Sequence, residues 1–136
     1  MDPQVNIPKI DSILESVKKI LGLTKEYISF DSDILIHINT VFTNLTQMGV
    51  GPKDGFSITG YDEVWDNYET SNPLKTQQVQ SYVALKVKSL FDPSANANVA
   101  AAMDKAIAEM EYRLYVEEEN SRYSESLSLE EENADE

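Results

Sequence analysis

The chain has 136 residues, enough to bury one hydrophobic core without staples. It has no cysteine, which excludes a disulfide framework and a thiolate metal site and suits a reducing compartment. A net charge of −13 argues against conventional DNA binding, because that affinity comes from Lys and Arg neutralising phosphates.

The charge is uneven. Residues 117–136 carry nine acids against Arg122 alone, a net −8, which leaves −5 for residues 1–116. Apolar runs fall short of the roughly 20 residues of a bilayer span. Residues 1–20 show no apolar block with a cleavage site. The expectation is a soluble, intracellular protein with a domain over 1–116 and an acidic tail over 117–136.

In chain order, residues 8–21 place Ile10, Ile13, Leu14, Val17 and Leu21 at helical spacing, with Pro8 suited to the first turn. Gly22 followed by Leu23 predicts a left-handed cap. Residues 31–48 form the clearest helix, with Asp31 as cap and Phe30 and Leu35 as a hydrophobic staple. Its stripe is Ile34, Leu35, Ile38, Val41, Phe42, Leu45 and Met48, and Asn39, Thr43 and Gln47 face away.

"MGVGPKDGF", residues 48–56, resembles a phosphate loop only in composition. A phosphate loop follows a strand and carries its lysine after the last glycine. Here a helix leads in and Lys53 precedes Gly55, so Gly49 reads as a helix stop and the rest as turns. Residues 61–68 predict a two-turn helix carrying Val64, Trp65 and Tyr68. Asn72-Pro73 opens a helix running to Phe91, with Val79, Val83, Val87 and Leu90 inward and Tyr82 and Phe91 at the margins. Asp92-Pro93 ends it. A last helix spans 96–117, with a narrow stripe of Val99, Met103, Ala106, Ile107, Met110 and Leu114. The tail has too few large apolar residues to offset the entropy of ordering, and is expected to be disordered in isolation. The fold class is therefore all-α: a small bundle of four main helices, one longer irregular connection and a disordered acidic C-terminal tail.

Chemistry is thinly represented. His37, the lone histidine, has no evident nucleophile or second ligand, and reads as a boundary residue satisfied by a backbone carbonyl. Asp62, Glu63 and Asp66 lack the spacing of a calcium loop. No catalytic, metal or cofactor site is assigned. Trp65 reads as either a core anchor or an interface hot spot. Asn44-Leu45-Thr46 matches a glycosylation sequon, but inside a helix.

Taken together, "LGL", "FDSDILIHINTVFTNLTQMGVGP", "GFSI", the lone Trp65, "YVALKVKSLFDP" and "EMEYRL" resemble, in order, the small helical head–tail connector proteins of tailed phages and prophages. The resemblance covers residues 8–116 and stops short of the tail. It implies a virion assembly protein without enzyme activity or cofactor. Such proteins form a ring of about twelve copies beneath the capsid portal. The ring extends the DNA channel, helps retain the genome, and meets the next connector or tail-completion protein. DNA passes without specific binding, no membrane is involved, and assembly occurs in the host cytoplasm before the protein resides at the virion head–tail interface. In this family the C-terminal part engages the portal, which carries over by position to Tyr112, Arg113, Leu114, Tyr115 and Val116. With Trp65 these are the candidate portal or subunit contacts. Two other readings compete: an acidic helical adaptor or DNA mimic that binds a host protein, and a carboxylate-based metal enzyme.

Overall fold

A computed structural model describes residues 12–134. Within them the chain forms α1 (Ile13–Ile20), α2 (Asp31–Gln47), a single 3-10 turn (Trp65–Asn67), α3 (Pro73–Phe91) and α4 (Ala97–Ala134). No strand forms among the described residues; the one β-bridge pairs Ser12 with Val64. The molecule is an all-α bundle in which α3 packs on each of the other three helices.

The ends of α1 and α2 follow one rule. After α1, the amide of Leu23 donates to the Lys18 carbonyl (2.8 Å) and that of Gly22 to Lys19 (3.1 Å). After α2, Val50 donates to Leu45 (2.9 Å) and Gly49 to Thr46 (3.0 Å). Both are Schellman caps, in which the terminal residue takes a left-handed conformation that glycine adopts without a Cβ clash. Gly22 and Gly49 have φ of 79° and 81°. Val50 then turns inward and is buried. The glycine-rich stretch is a helix stop and turn, as its sequence predicts.

The other termini differ in part. Ser12 caps α1, accepting from the Glu15 amide at 3.1 Å, so this helix begins later than Pro8, which lies outside the described residues. Asn72 caps α3 by accepting from the Lys75 amide (2.9 Å), with Pro73 at the first helical position, as expected. At α2, however, Phe30 occupies the cap position and makes no side-chain cap bond. Asp31 does not cap, because its carboxylate is drawn to a buried cation. Phe30 stacks edge-on against Phe91, with centroids 5.3 Å apart.

The core draws Ile13, Leu14 and Val17 from α1, and Ile34, Ile38, Val41, Phe42 and Leu45 from α2. From α3 come Val79, Tyr82, Val83 and Val87, and from α4 Ile107 and Leu114. Two positions on α3 reverse expectation. Tyr82 is fully buried rather than marginal, and Leu90 is exposed, because the core ends a turn before the helix does. On α4 the expected stripe narrows to Ile107 and Leu114, with Met103, Ala106 and Met110 half-buried and Val99 exposed.

The 48–72 connection lies against the bundle, held by side chains that mimic strand pairing. Asn39 donates through Nδ2 to the Ile58 carbonyl (3.0 Å) and accepts the Ile58 amide at Oδ1 (2.8 Å). Asn39 therefore does not face solvent, as periodicity alone suggests. The expected two-turn helix at 61–68 shortens to Trp65–Asn67. Val64 and Tyr68 on either side are extended, and Asn67 Oδ1 takes the Val64 amide at 2.9 Å.

The tail is also corrected. Residues 117–134 continue α4 as helix instead of leaving it as coil. Glu, Ser and Leu permit helix here. The first turns are tied to the body: Lys75 pairs with Glu117 (2.8 Å) and Glu118 (3.7 Å), and Arg122 lies over Gly49. From residue 119 onward every side chain through 134 is exposed.

Candidate interaction surfaces

The residues singled out from sequence do not form one site. Trp65 sits half-buried in an aromatic cluster under the connection. Its ring centroid is 5.9 Å from Phe42 and 6.1 Å from Tyr68, and its Nε1 donates to Ser16 Oγ at 3.2 Å. This is the environment of a core anchor that joins the connection to α1 and α2. Its outer edge borders an open groove lined by Tyr68, Asn72, Pro73 and Gln80.

The five α4 residues diverge because a helix turns 100° per residue. Leu114 points into the core and offers no surface. Val116 is half-buried. Arg113 is exposed beside a small cleft formed with Gln78, Ser81 and Met110 between α3 and α4. Tyr112 and Tyr115 are both exposed, three residues apart on α4.

Polar contacts fix how α4 leaves the bundle. Tyr82 donates its buried hydroxyl to Glu111 Oε2 at 3.2 Å. Burial, then the Glu111 charge, pushes that phenol far above its usual range. The hydrogen bond from Lys75 holds the Glu117 carboxyl below the usual carboxylate range, more than offsetting its partial burial. Tyr68 likewise titrates high, from burial and from the Glu118 charge.

A buried cation at the opposite end of the bundle escaped the sequence reading. Lys18, fully buried on α1, donates to the carbonyls of Lys25 (3.1 Å) and Tyr27 (2.8 Å) and to Tyr61 Oη (2.7 Å). It also pairs with Asp31 Oδ1 at 2.8 Å, and Tyr61 donates to Asp31 Oδ2 at 2.6 Å. Burial alone would lower the Lys18 pKa, but the bonds to Asp31 and Tyr61 leave it raised. Burial would raise Asp31, yet Lys18 and Tyr61 hold it below its usual range. The trio fastens the α1–α2 loop and the 58–64 connection to α1.

That loop carries an exposed aromatic surface. Tyr27, Ile28 and Phe30 face solvent. Rings follow one another from Tyr27 to Phe30 (5.8 Å), to Phe91 (5.3 Å) and to His37 (6.4 Å). His37, read from sequence as held by a carbonyl, has an aromatic ring as its neighbour here. The signal for this surface was "YISF", residues 27–30, an apolar run outside any helix.

The acids do not converge. Glu63 accepts the Thr59 amide and hydroxyl, both at 2.9 Å. Burial would raise its carboxyl, and these bonds keep it low. Among the described residues no three His, Asp or Glu gather to hold a metal ion, and no helix is long and apolar enough to cross a membrane.

Residues 13–121, from the start of α1 to the Lys75-tethered part of α4, match the phage connector protein family. The chain belongs to that family. No curated protein and no solved structure matches it. The family is a structural one, associated with portal, capsid and tail components at the head–tail interface of the virion. The match runs five residues past the sequence resemblance, into the clasped turns of α4.

Proposed function

We propose that this connector forms a ring docked beneath the portal of the filled capsid, extending the DNA channel and helping retain the genome. The observation that carries this reading is the family match over 13–121, which spans the whole bundle. The geometry is compatible with it. A subunit in a closed ring needs two different complementary patches. The fold presents exposed aromatic residues both on the α1–α2 loop and on α4. The net charge of −13 weakens nonspecific grip on phosphates, as suits a channel that DNA must traverse.

The test is to mix the purified full chain with its cognate portal complex and image it by negative stain. A ring of added density with a central hole on one face of the portal is expected. Unchanged portal particles at saturating protein would overturn the reading.

The exposed acidic helix beyond Arg122 supports a second reading, an adaptor or DNA mimic that occupies a basic protein surface. Stoichiometric inhibition of a host nuclease, with no portal binding, would favour it instead.

A further inference from the structure

The 48–72 connection leaves α2 at its negative end and enters α3 at its positive end, since the helix dipole places about half a charge at each terminus. Both ends lie against one short stretch of α4. At the α3 end, Lys75 is buried in the first turn, where burial and the dipole both disfavour a cation. Glu117 at 2.8 Å and Glu118 at 3.7 Å answer it, and Gln78 Nε2 donates to the other Glu117 oxygen at 3.5 Å. At the α2 end, the last turn of the helix has no basic residue of its own. Arg122 of α4 supplies the cation, its guanidinium filling the space that a side chain at position 49 would need. Gly22 ends α1 with the same cap and nearly the same φ, yet the space around it is open. Glycine at 49 thus serves both its own φ and the seat of Arg122.

Charge, more than packing, holds α4 at this place. Beyond Val116 every apolar side chain of α4 through residue 134 is exposed. A cleft of about 500 Å³, lined by Thr46, Gly51, Lys53 and Glu125, opens beside Arg122 at the turn after α2. Arg122 also lies 3.6 Å from Glu119, an exposed pair that adds little. Between the two ends, Tyr68 donates its hydroxyl to the Val50 carbonyl at 3.4 Å and senses the charge of Glu118.

We propose that residues 117–122 of α4 are a strap that draws the two ends of the 48–72 connection together and opens as one unit. Closed, it fixes Gly49 and Val50 at one end and the start of α3 at the other. Open, it frees both ends, while the middle stays held by Asn39 on Ile58. The strap thereby couples the exposed end of α4, residues 123–134, to the connection. Whatever takes Glu117 and Glu118 from Lys75 loosens the connection, and by linkage whatever loosens the connection frees the strap. Every contact in the strap lies within one chain, so it stands whether or not a ring forms.

Native-state hydrogen exchange of the full chain, read amide by amide by NMR, measures the opening. The reporters are the Gly49 and Val50 amides at one end and the Tyr68 and Thr76 amides at the other, all hydrogen-bonded when the strap is closed. Lys75→Met removes one anchor and keeps its stem volume; Arg122→Gln removes the other. Each variant should speed exchange at both ends, by roughly threefold for Arg122→Gln and roughly tenfold or more for Lys75→Met. The double variant should exceed Lys75→Met alone by less than the Arg122→Gln factor, as one opening event requires. The Ile38 and Val41 amides of α2 and the Ile58 amide should keep their wild-type rates, and Lys105→Gln, an exposed α4 control, should change nothing. Arg122 is exposed, so Arg122→Gln carries the test alone if Lys75→Met does not fold. Faster exchange only at the end nearest the changed residue, effects that multiply in the double variant, or a rise spread evenly over the core amides would overturn the strap.

Discussion

Replacing Lys18 with Met tests the strongest claim about the fold, that one buried cation organises the end of the bundle bearing the loop patch. Methionine keeps most of the stem volume and removes the ammonium. Its four partners then lose it: Asp31 at 2.8 Å, Tyr61 at 2.7 Å, and the carbonyls of Lys25 and Tyr27 at 3.1 and 2.8 Å. Removing one member of a buried ion pair costs about 3–5 kcal/mol. Asp31 keeps 21% of its side-chain surface, so water restores part of the loss. Residues 25 and 27 are exposed, so their carbonyls rehydrate at little cost. The expected loss is therefore about 3 kcal/mol. For a domain of this size that is a Tm decrease of roughly 10 °C. Urea and thermal unfolding followed by far-UV circular dichroism at pH 7 measure it. In the Lys18→Met/Asp31→Asn double variant the carboxylate no longer lacks its counter-ion, so the double variant should lose about 1 kcal/mol or more less than the sum of the singles. A single variant within about 1 kcal/mol of wild type, or strictly additive singles, would refute the reasoning.

The same trio predicts a pH window. Asp31 is held below its unfolded value, so its contribution is present above the ordinary carboxylate range and lost as pH falls through the lower folded value. Lys18 is held above its unfolded value, so its contribution is present below the ordinary lysine range and lost as pH rises through the higher folded value. The stability difference between wild type and Lys18→Met should accordingly be flat across neutral pH and shrink at both extremes, as read by urea midpoints; a difference that persists at pH 2 counts against it. Truncation after Val116 should cost about 1–2 kcal/mol, because Lys75, buried at the start of α3, loses Glu117 and Glu118. Truncation after Ser124 should leave the melting temperature within the error of the scan. Gly51 has φ 87°, and a Cβ there would strike the Tyr68 ring, whereas Gly22 at φ 79° has open space around it. Gly51→Ala should cost roughly 2–4 kcal/mol against about 1 for Gly22→Ala, by denaturant titration; equal losses would contradict the close packing. Tyr112→Ala and Tyr115→Ala should not shift the melting temperature but should weaken portal-templated assembly.

Which features the sequence disclosed follows from the range of the forces behind them. Helix stops at Gly22 and Gly49, the Asn72-Pro73 start of α3 and the inward stripe of α2 depend on residues within one or two turns, and composition displays them directly. The reversals all come from partners far along the chain. Asp31 has the credentials of a cap, but an ammonium 13 positions earlier and a phenol 30 later compete for the same carboxylate and win, since a charged pair out of water outweighs one exposed cap bond. Tyr82 stands at the margin of the α3 stripe by periodicity, and Glu111, 29 residues on, takes its hydroxyl and permits full burial. Lys18 and Lys75 carry no signal in the sequence for the same reason, since a lysine is buried only where a distant acid answers it. The candidate site divides along this line. Sequence position grouped Tyr112 to Val116 as one contact segment, and helical geometry splits it, sending Leu114 into the core and leaving Tyr112 and Tyr115 outside. The loop patch was visible as an unexplained apolar run in "YISF". Its meaning depends on Phe91 and on the Lys18 anchor, which only the folded arrangement places beside it.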